Sequence, residues 1–526
     1  MLNQLMDKEA VAFLQVDDLL KKIKPSSYYG KQLLKQPRVY FRGDEQELTT
    51  HYERLYKLEA LWQDAEIERI KRCLSELKNI SHSLNKIENQ ELPSVVDFFE
   101  IKKFLFFVKR LLSLMNGVQE IVELYTLDFQ PEIWTIMDPR NTNQFFFSID
   151  SDYAVELRKD LEKFRELEKA EMRKICSQLE RFYDLSLKNR TEFLLERSDI
   201  RNHALRKSEN LTIISENAFS VHYKVIKSVE DADYSEAIQR INDEMEVEEI
   251  RYRNELMENL LSYTEYIKNQ MSFIGEFDRD IALLEYKAEN DACFPQVEKS
   301  TVTIEIDTGV YYDVKAFCDR NNFLYDPVTI HLKEGVTVIV GANMGGKTTA
   351  LRSIGQFYVA FALGIPIIAH RFMSCLFDSI NCVYRTLEEE GLSGFAMEVK
   401  RIRPVFQDGY HLNLIDEFGS ATNPKEGDAL ASSVVQQLSD KKSITVFVTH
   451  FSGPLAYGKQ RYQTGFLRNH DQELLDETNI YRYIDHRLER IDVDHVPQAA
   501  IEISKALGIP EEVIERARIL ALGNTP

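Results

Sequence analysis

The stretch VTVIVGANMGGKTTALRSI, residues 336–354, narrows the fold more than any other part of the chain. Five β-branched residues, Val336 to Val340, supply a strand, a glycine-rich turn follows, and the segment from Thr348 onward reads as a helix. Glycines let the backbone close around an anion, amide N–H groups coordinate it, and the helix N-terminus adds a favourable dipole. The spacing of Gly341, four residues, then Gly346, Lys347 and Thr348 fits that phosphate cradle. Strand, tight turn and helix in this order separate it from an accidental glycine turn.

Two textures meet near residue 300. After it, short apolar runs (TVTIEI, VTVIV, HLNLI and ITVFVTH) are each bounded by turn residues or helix-like segments, which predicts a mostly parallel sheet wrapped in helices. Before it, long charged stretches carry apolar residues at three-and-four spacing. Leu157, Leu161 and Phe164 form one such stripe, Met172, Ile175, Leu179 and Phe182 another, and Leu256, Leu260, Tyr263 and Ile267 a third. That period predicts long packed helices. Within 210–228 the partial alternation of Phe219, Val221, Tyr223 and Val225 predicts a short hairpin.

The chain's 526 residues, 44% of them hydrophobic, call for two to four folded domains. Acidic residues outnumber basic ones 85 to 65, a formal charge of −20, which opposes indiscriminate binding to nucleic acid or anionic membrane without a local basic patch. The six cysteines form no Cys-x-x-Cys pair, so neither a disulfide framework nor a zinc site is suggested, and a reducing, cytoplasmic setting fits. The N-terminus shows no export signal. The apolar segment Ser353 to His370 is interrupted by Gln356, Gly364 and Pro366 and reads as a buried helix rather than a membrane span.

Two further strands carry chemistry. HLNLIDEFGS brings Asp416 and Glu417 to the C-terminal end of an apolar strand, where one carboxylate can hold Mg²⁺ with the Thr348 hydroxyl and the other can polarise an attacking water. SITVFVTH ends at Thr449 and His450, and an imidazole there can sense a γ-phosphate or position water. Taken singly, an Asp-Glu pair is as often a solvated loop, and a lone histidine after a strand is more often structural; the combination is what points to an ATPase.

These segments, FLYDPVTIHLKEGVTVIVGANMGGKTTALRSI, LNLIDEFGSATNPKEG and FVTHF, resemble the ATPase domain of the MutS family, the DNA mismatch-repair ATPases of the ABC-type superfamily. The resemblance implies that Phe323 stacks on adenine and that Gly341, Asn343, Met344, Gly345, Gly346, Lys347, Thr348 and Thr349 bind the nucleotide. It further implies that Thr348 and Asp416 hold Mg²⁺, that Glu417 is the general base, and that His450 is the switch histidine. In GLSGFAMEV, Ser393, Phe395 and Glu398 match the family's signature segment, whose serine reaches the nucleotide of the opposite subunit. A dimer closed by ATP follows, a homodimer or a MutS-like heterodimer. The chain departs from the family pattern at Gly394, where threonine is usual, and at Ser420, Ala421, Asn423 and Pro424, which bears on communication between subunits.

The implied organisation is multidomain: an all-α helical core and lever, then an α/β P-loop domain with a C-terminal helical pair. Its parts are a first helical core at 1–130, lever-like helices with a small hairpin or abbreviated clamp at 131–300, the ATPase domain at 301–490, and a dimer-supporting helical segment at 491–526. The mismatch-reading domain and a full clamp are expected to be missing. A basic patch in LKNRTEFLLERSDIRNHALRKSEN, comprising Lys188, Arg190, Arg197, Arg201, Arg206 and Lys207, is a candidate phosphate grip at the far end of a long helix, against the plainer reading of a mixed, solvated face. Two functions stay open: a MutS-type ATPase that binds duplex or branched DNA, and a MutS-like ATPase redeployed to remodel or reactivate a protein, for example an aminomutase.

Overall fold

The computed structural model describes residues 2–61, 64–115, 119–125, 127–149, 151–188, 190–229, 231, 233–341, 345–385, 394–467, 484–492, 501, 504–505 and 508–521. The chain divides into two compact units. One comprises Met1–Leu77, Leu111–Leu127 and Gln270–Pro526, the other Lys78–Arg110 and Asp128–Asn269. The first unit thus joins the start of the chain to the residues from Gln270 onward. The reason is visible in the first unit, where early helices pack on the helix that follows the glycine turn. Gln356 Nε2 donates to the Leu14 carbonyl at 3.0 Å, and the Tyr52 hydroxyl to that of Phe361 at 3.3 Å.

Fifteen strands are present among the described residues. In the second unit they are β1 (Glu192–Glu196), β2 (Leu211–Glu216) and β3 (Ser220–Val225). In the first unit they run β4 (Gln296–Val297), β5 (Thr303–Gly309), β6 (Val328–Lys333), β7 (Gly335–Gly341), β8 (Arg371–Ser374) and β9 (Ser379–Val383). They continue with β10 (His411–Asp416), β11 (Ile444–Thr449), β12 (Gln460–Thr464), β13 (Phe466–Leu467), β14 (Ile484–Asp485) and β15 (Glu489–Arg490).

A six-stranded sheet in the order β15-β12-β7-β11-β10-β9 forms the centre of the first unit, parallel throughout except for the short β15. Val336, Val338, Val340, Ile415 and Phe447 bury one face against Ala431, Val434, Val435 and Leu438 of the helix Pro424–Leu438. That helix begins where its residues direct: the Asn423 side chain accepts from Lys425 N and Pro424 occupies the first turn. The helix Lys347–Ala362 is almost wholly buried, and Gly355 lets it lie close to Leu414 of β10.

TVTIEI is not part of this sheet. As β5 it sits in a separate four-stranded sheet, β4-β8-β5-β6, antiparallel to both neighbours. Its glutamate and aspartate stay half-exposed, whereas β7 is buried along its whole length; a short apolar run identifies a strand but not its sheet. The segment 353–370 is helical only to Ala362, since Gly364 turns with φ +70° and Ile367 bridges to Cys293. No helix among the described residues is long and apolar enough to cross a membrane.

In the second unit the 32-residue helix Asp152–Tyr183, roughly 48 Å long at 1.5 Å per residue, packs Leu157, Leu161 and Phe164 against Ile238, Ile241 and Met245 of the helix Ser235–Leu261. Its far end buries Ile175, Cys176 and Leu179 against Leu205, Val221, Tyr223 and Val225. The expected hairpin is β2 and β3, but the sheet is three-stranded, β1-β3-β2, so the region before residue 300 is not all-α. The long helix stops at Asp184, which takes φ +50°, and the basic stretch beyond it forms a loop, β1 and a short helix. The third apolar stripe is broken too, since one helix ends at Leu261 and the next starts at Thr264.

Candidate functional site

Strand β7 carries the chain to Gly341 at the end of the central sheet. A Cβ on Gly341 would stand 2.1 Å from the Thr464 carbonyl oxygen of β12, so only glycine fits. Gly346 has φ +84° and caps the helix Lys347–Ala362; that conformation would cost an L residue roughly 1–2 kcal/mol. The Thr464 hydroxyl lies 2.9 Å from the Gly345 carbonyl and 3.0 Å from that of His486, which ties the turn to β12 and to the segment after β14.

Lys347 is buried. Its Nζ donates to the Gly341 carbonyl at 2.9 Å and lies 3.6 Å from Glu417 Oε1. Burial pulls its pKa down, opposed by Glu417. The Thr348 hydroxyl donates to Asp416 Oδ2 at 2.9 Å. Asp416 reaches it because β10 and β7 flank β11 in parallel register, with Asp416 opposite Val448 and Val448 opposite Ile339. Burial pushes the Asp416 carboxyl up, and the bond from Thr348 only partly offsets this.

The second oxygen, Asp416 Oδ1, is buried and has no hydrogen-bond partner among the described residues. An unmatched carboxylate oxygen beside a hydroxyl is what a hard divalent cation requires. Mg²⁺ at phosphate sites takes one or two protein oxygens and completes its shell with phosphates and water. Among the described residues no cluster of three or more His, Cys, Asp or Glu could hold a metal unaided. The residues present therefore fit Mg²⁺ carried with a phosphate ligand.

Glu417 stands at the end of β10 with φ +51°, its N–H donating to the Val448 carbonyl at 2.9 Å and its side chain about one-third exposed. His450 follows β11 immediately, exposed, with its ring 4.3 Å from that of Phe451. Asn343, Met344 and Ser393 lie outside the described residues. Of the signature segment, Glu398 is buried on the helix Gly394–Ile402 and accepts from Gly419 N at 2.9 Å, which links this helix to the loop just beyond Glu417.

A cavity of about 220 Å³ joins Phe323, Leu324 and Tyr325 to Gly346, Thr349 and His486. It places Phe323 on the same cavity as Gly346 of the glycine turn. His486 was not foreseen. Its backbone N–H donates to Asp326 Oδ2 at 2.9 Å, and its buried ring Nδ1 lacks a hydrogen-bond partner among the described residues. The ring sits so close to the turn that a Cβ on Gly346 would be 2.9 Å from Nδ1. Thr464 and His486 are more than a hundred residues from the motif they support, and no local pattern marks them.

Known proteins resemble this chain over the residues that build this site. The family model for MutS domain V matches residues 337–522. The endonuclease MutS2 of Streptococcus uberis is 24% identical over 469 residues, which is 84% of this chain and 56% of that protein. The endonuclease MutS2 of Clostridium kluyveri is 29% identical over 289 residues, 53% of this chain and 34% of that protein. The DNA mismatch repair protein MutS of Natronomonas pharaonis is 27% identical over 287 residues, 52% of this chain and 31% of that protein. The chain thus spans from about a third to somewhat over half the length of these relatives. The glycine turn, the paired carboxylates and the histidine after β11 all fall where the match runs, so residues 337–522 are similar to MutS domain V and the chain is related to MutS and MutS2 proteins.

Proposed function

We propose that this chain binds and hydrolyses ATP with Mg²⁺ at the Gly341–Thr349 turn and, as a dimer closed by nucleotide, acts on DNA in a process related to mismatch repair. The observation that carries the reading is the contact of the Thr348 hydroxyl with Asp416, whose other oxygen is left unmatched beside the buried Lys347. Phe323 supplies a ring for adenine at one end of the cavity. Lys347 meets the β- and γ-phosphates, the turn amides of Asn343 to Gly346 cradle them, and Thr349 lines the same wall. Thr348 and Asp416 hold Mg²⁺, which when bound neutralises charge developing on the phosphate oxygens. Glu417 orients and deprotonates the attacking water, and His450 responds to the γ-phosphate. Ser393 completes the nucleotide site of the opposite subunit, and Glu398 couples that helix to the Glu417 loop.

The names of the relatives, endonuclease and DNA mismatch repair protein, favour DNA over a protein substrate. The expected basic patch gives less support, because three of its four arginines are matched locally: Arg197 and Arg206 share Glu216, and Arg201 pairs with Asp199 at 2.7 Å. The decisive experiment is Glu417→Gln. The variant should bind ATP as tightly as wild type while turnover stops; equal hydrolysis by both would remove Glu417 from the chemistry. Binding to duplex and branched DNA across a salt series tests the partner, with a log-log slope of about −0.9 for each phosphate neutralised.

A further inference from the structure

The short helix Lys8–Phe13 and the residues just after it take no part in the chemistry above, yet they lie between two helices that do. Asp7 starts this helix by accepting from Ala10 N at 2.7 Å. Beyond its end, Leu14 is fully buried where Gly355 leaves room for it, and the Leu14 carbonyl accepts from Gln356. The segment is thereby fixed along the helix Lys347–Ala362, whose first turn carries Lys347 and Thr348.

Phe13 continues the contact towards the site. Its ring is only 6% exposed and stacks on that of Tyr384 at 4.1 Å with 12° between planes, and the Arg352 guanidinium carbon lies 4.6 Å from its centre. Arg352 is four residues on from Thr348 and so on the same face of the helix; helical side chains lean towards the N-terminus, which lays its stem over the turn bearing Thr348. Arg352 Nε is buried with no hydrogen-bond partner among the described residues, so the π-face of Phe13 is part of what stabilises that charge, and a cation over a ring gains most where water is excluded.

On the other side, Tyr384 follows β9 and carries the Arg401 guanidinium 4.7 Å from its ring centre. Arg401 also donates to the Tyr384 carbonyl at 3.1 Å and pairs with Glu9, whose own carbonyl accepts from the Tyr384 hydroxyl at 3.0 Å. Arg401 stands in the last turn of the helix Gly394–Ile402, the helix that reaches the Glu417 loop through Glu398. A series of stacked groups, Arg352, Phe13, Tyr384 and Arg401, therefore runs from the glycine-turn helix to the signature helix. A leucine would fill the place of Phe13 but would hold neither the cation nor the second ring.

We propose that Phe13 is a positioning residue for ATP hydrolysis, the centre of a strap, Asp7–Gln15, that holds the glycine-turn helix and the signature helix at one spacing. The proposal rests on the ATPase reading above. The signature helix is then tied to the site at two places, to the Thr348 turn through Phe13 and to the Glu417 loop through Glu398.

The test is steady-state phosphate release by the full chain, with kcat and KM for ATP measured separately and thermal melting followed alongside. Phe13→Leu should lower kcat about 5- to 30-fold, the factor that one buried cation–π contact is worth, and leave KM unchanged; Phe13→Tyr should restore kcat. Tyr384→Leu should lose kcat to the same extent, Tyr384→Phe should keep it, and the double variant Phe13→Leu/Tyr384→Leu should be no slower than either single one. A folded Phe13→Leu with wild-type kcat, or one that only melts lower, overturns the proposal, as do losses that multiply in the double variant. Should Phe13→Leu fail to fold, wild-type kcat in Tyr384→Leu overturns it equally. A wild-type chain that releases no phosphate removes the ATPase reading and this proposal together, whereas turnover in wild type that Phe13→Leu matches removes the proposal alone.

Discussion

Replacing Lys347 with methionine isolates the contribution of one ammonium group to nucleotide binding. The side chain stays unbranched and loses only its terminal ammonium, and its site is buried, so the apo protein loses a hydrogen bond to the Gly341 carbonyl but also sheds a charge that burial disfavours. In the nucleotide-bound form it loses a charge-assisted hydrogen bond to phosphate, worth about 1.5–3 kcal/mol, or roughly 10- to 150-fold in affinity. With ATP at a hundred times the wild-type dissociation constant, wild type gains about 2.7 kcal/mol. The variant would gain only about 0.3–1.3 kcal/mol at the same concentration. For a cooperative unit of about 150–250 residues the wild-type gain is a rise of roughly 5–11 °C in melting temperature. Calorimetry with Mg²⁺ and a non-hydrolysable ATP analogue reads both numbers. A Lys347→Met variant stabilised as much as wild type would show that the phosphates do not sit on this turn.

Asp416→Asn should separate the cost of a buried carboxylate from its use. Its folded pKa is raised, so its stabilising contribution is present below the unfolded value and is lost as pH rises through the folded one. The apo variant should therefore melt no lower than wild type at neutral pH, with the difference closing as pH falls, while the Mg²⁺-dependent part of nucleotide binding disappears; a lower apo melting temperature at neutral pH would contradict this. In the second unit, Tyr223→Phe removes the hydroxyl that donates to Asn202 Oδ1 at 2.9 Å in a buried site. A loss of about 1–3 kcal/mol is expected in denaturant melts, from the acceptor left unpaired, and an unchanged midpoint would refute it.

How much of this was legible in the sequence depended on distance along the chain. The glycine turn, the Asp416–Glu417 strand end and His450 were readable because each is a local pattern: an apolar run, then a residue whose chemistry needs the C-terminal edge of a sheet. The parallel order that brings Asp416 to Thr348 was implied only by analogy, since nothing in HLNLID states which strand it will lie beside. β1 was missed for a related reason. EFLLE alternates weakly between charged and apolar residues and sits among arginines, and it becomes a strand by pairing with β3, thirty residues later. The same holds for Thr464 and His486, whose contacts with the turn exist only after β12 and β14 are in place.

This dependence on distant partners bears on the strain at Glu417. A non-glycine residue at φ +51° costs on the order of 1 kcal/mol and persists only where its surroundings over-determine it. Here the peptide is fixed from both sides: Glu417 N is bonded to Val448 of the neighbouring strand, and two residues on, Gly419 N is bonded to the buried Glu398 of the signature helix. Asp416 faces Thr348 and Glu417 faces Lys347 because the chain turns sharply between two adjacent carboxylates that would otherwise alternate to opposite faces of the sheet. The strained residue is thus what lets one strand end place both acids at one site, and the Glu398 bond makes that placement answerable to the helix that follows Ser393.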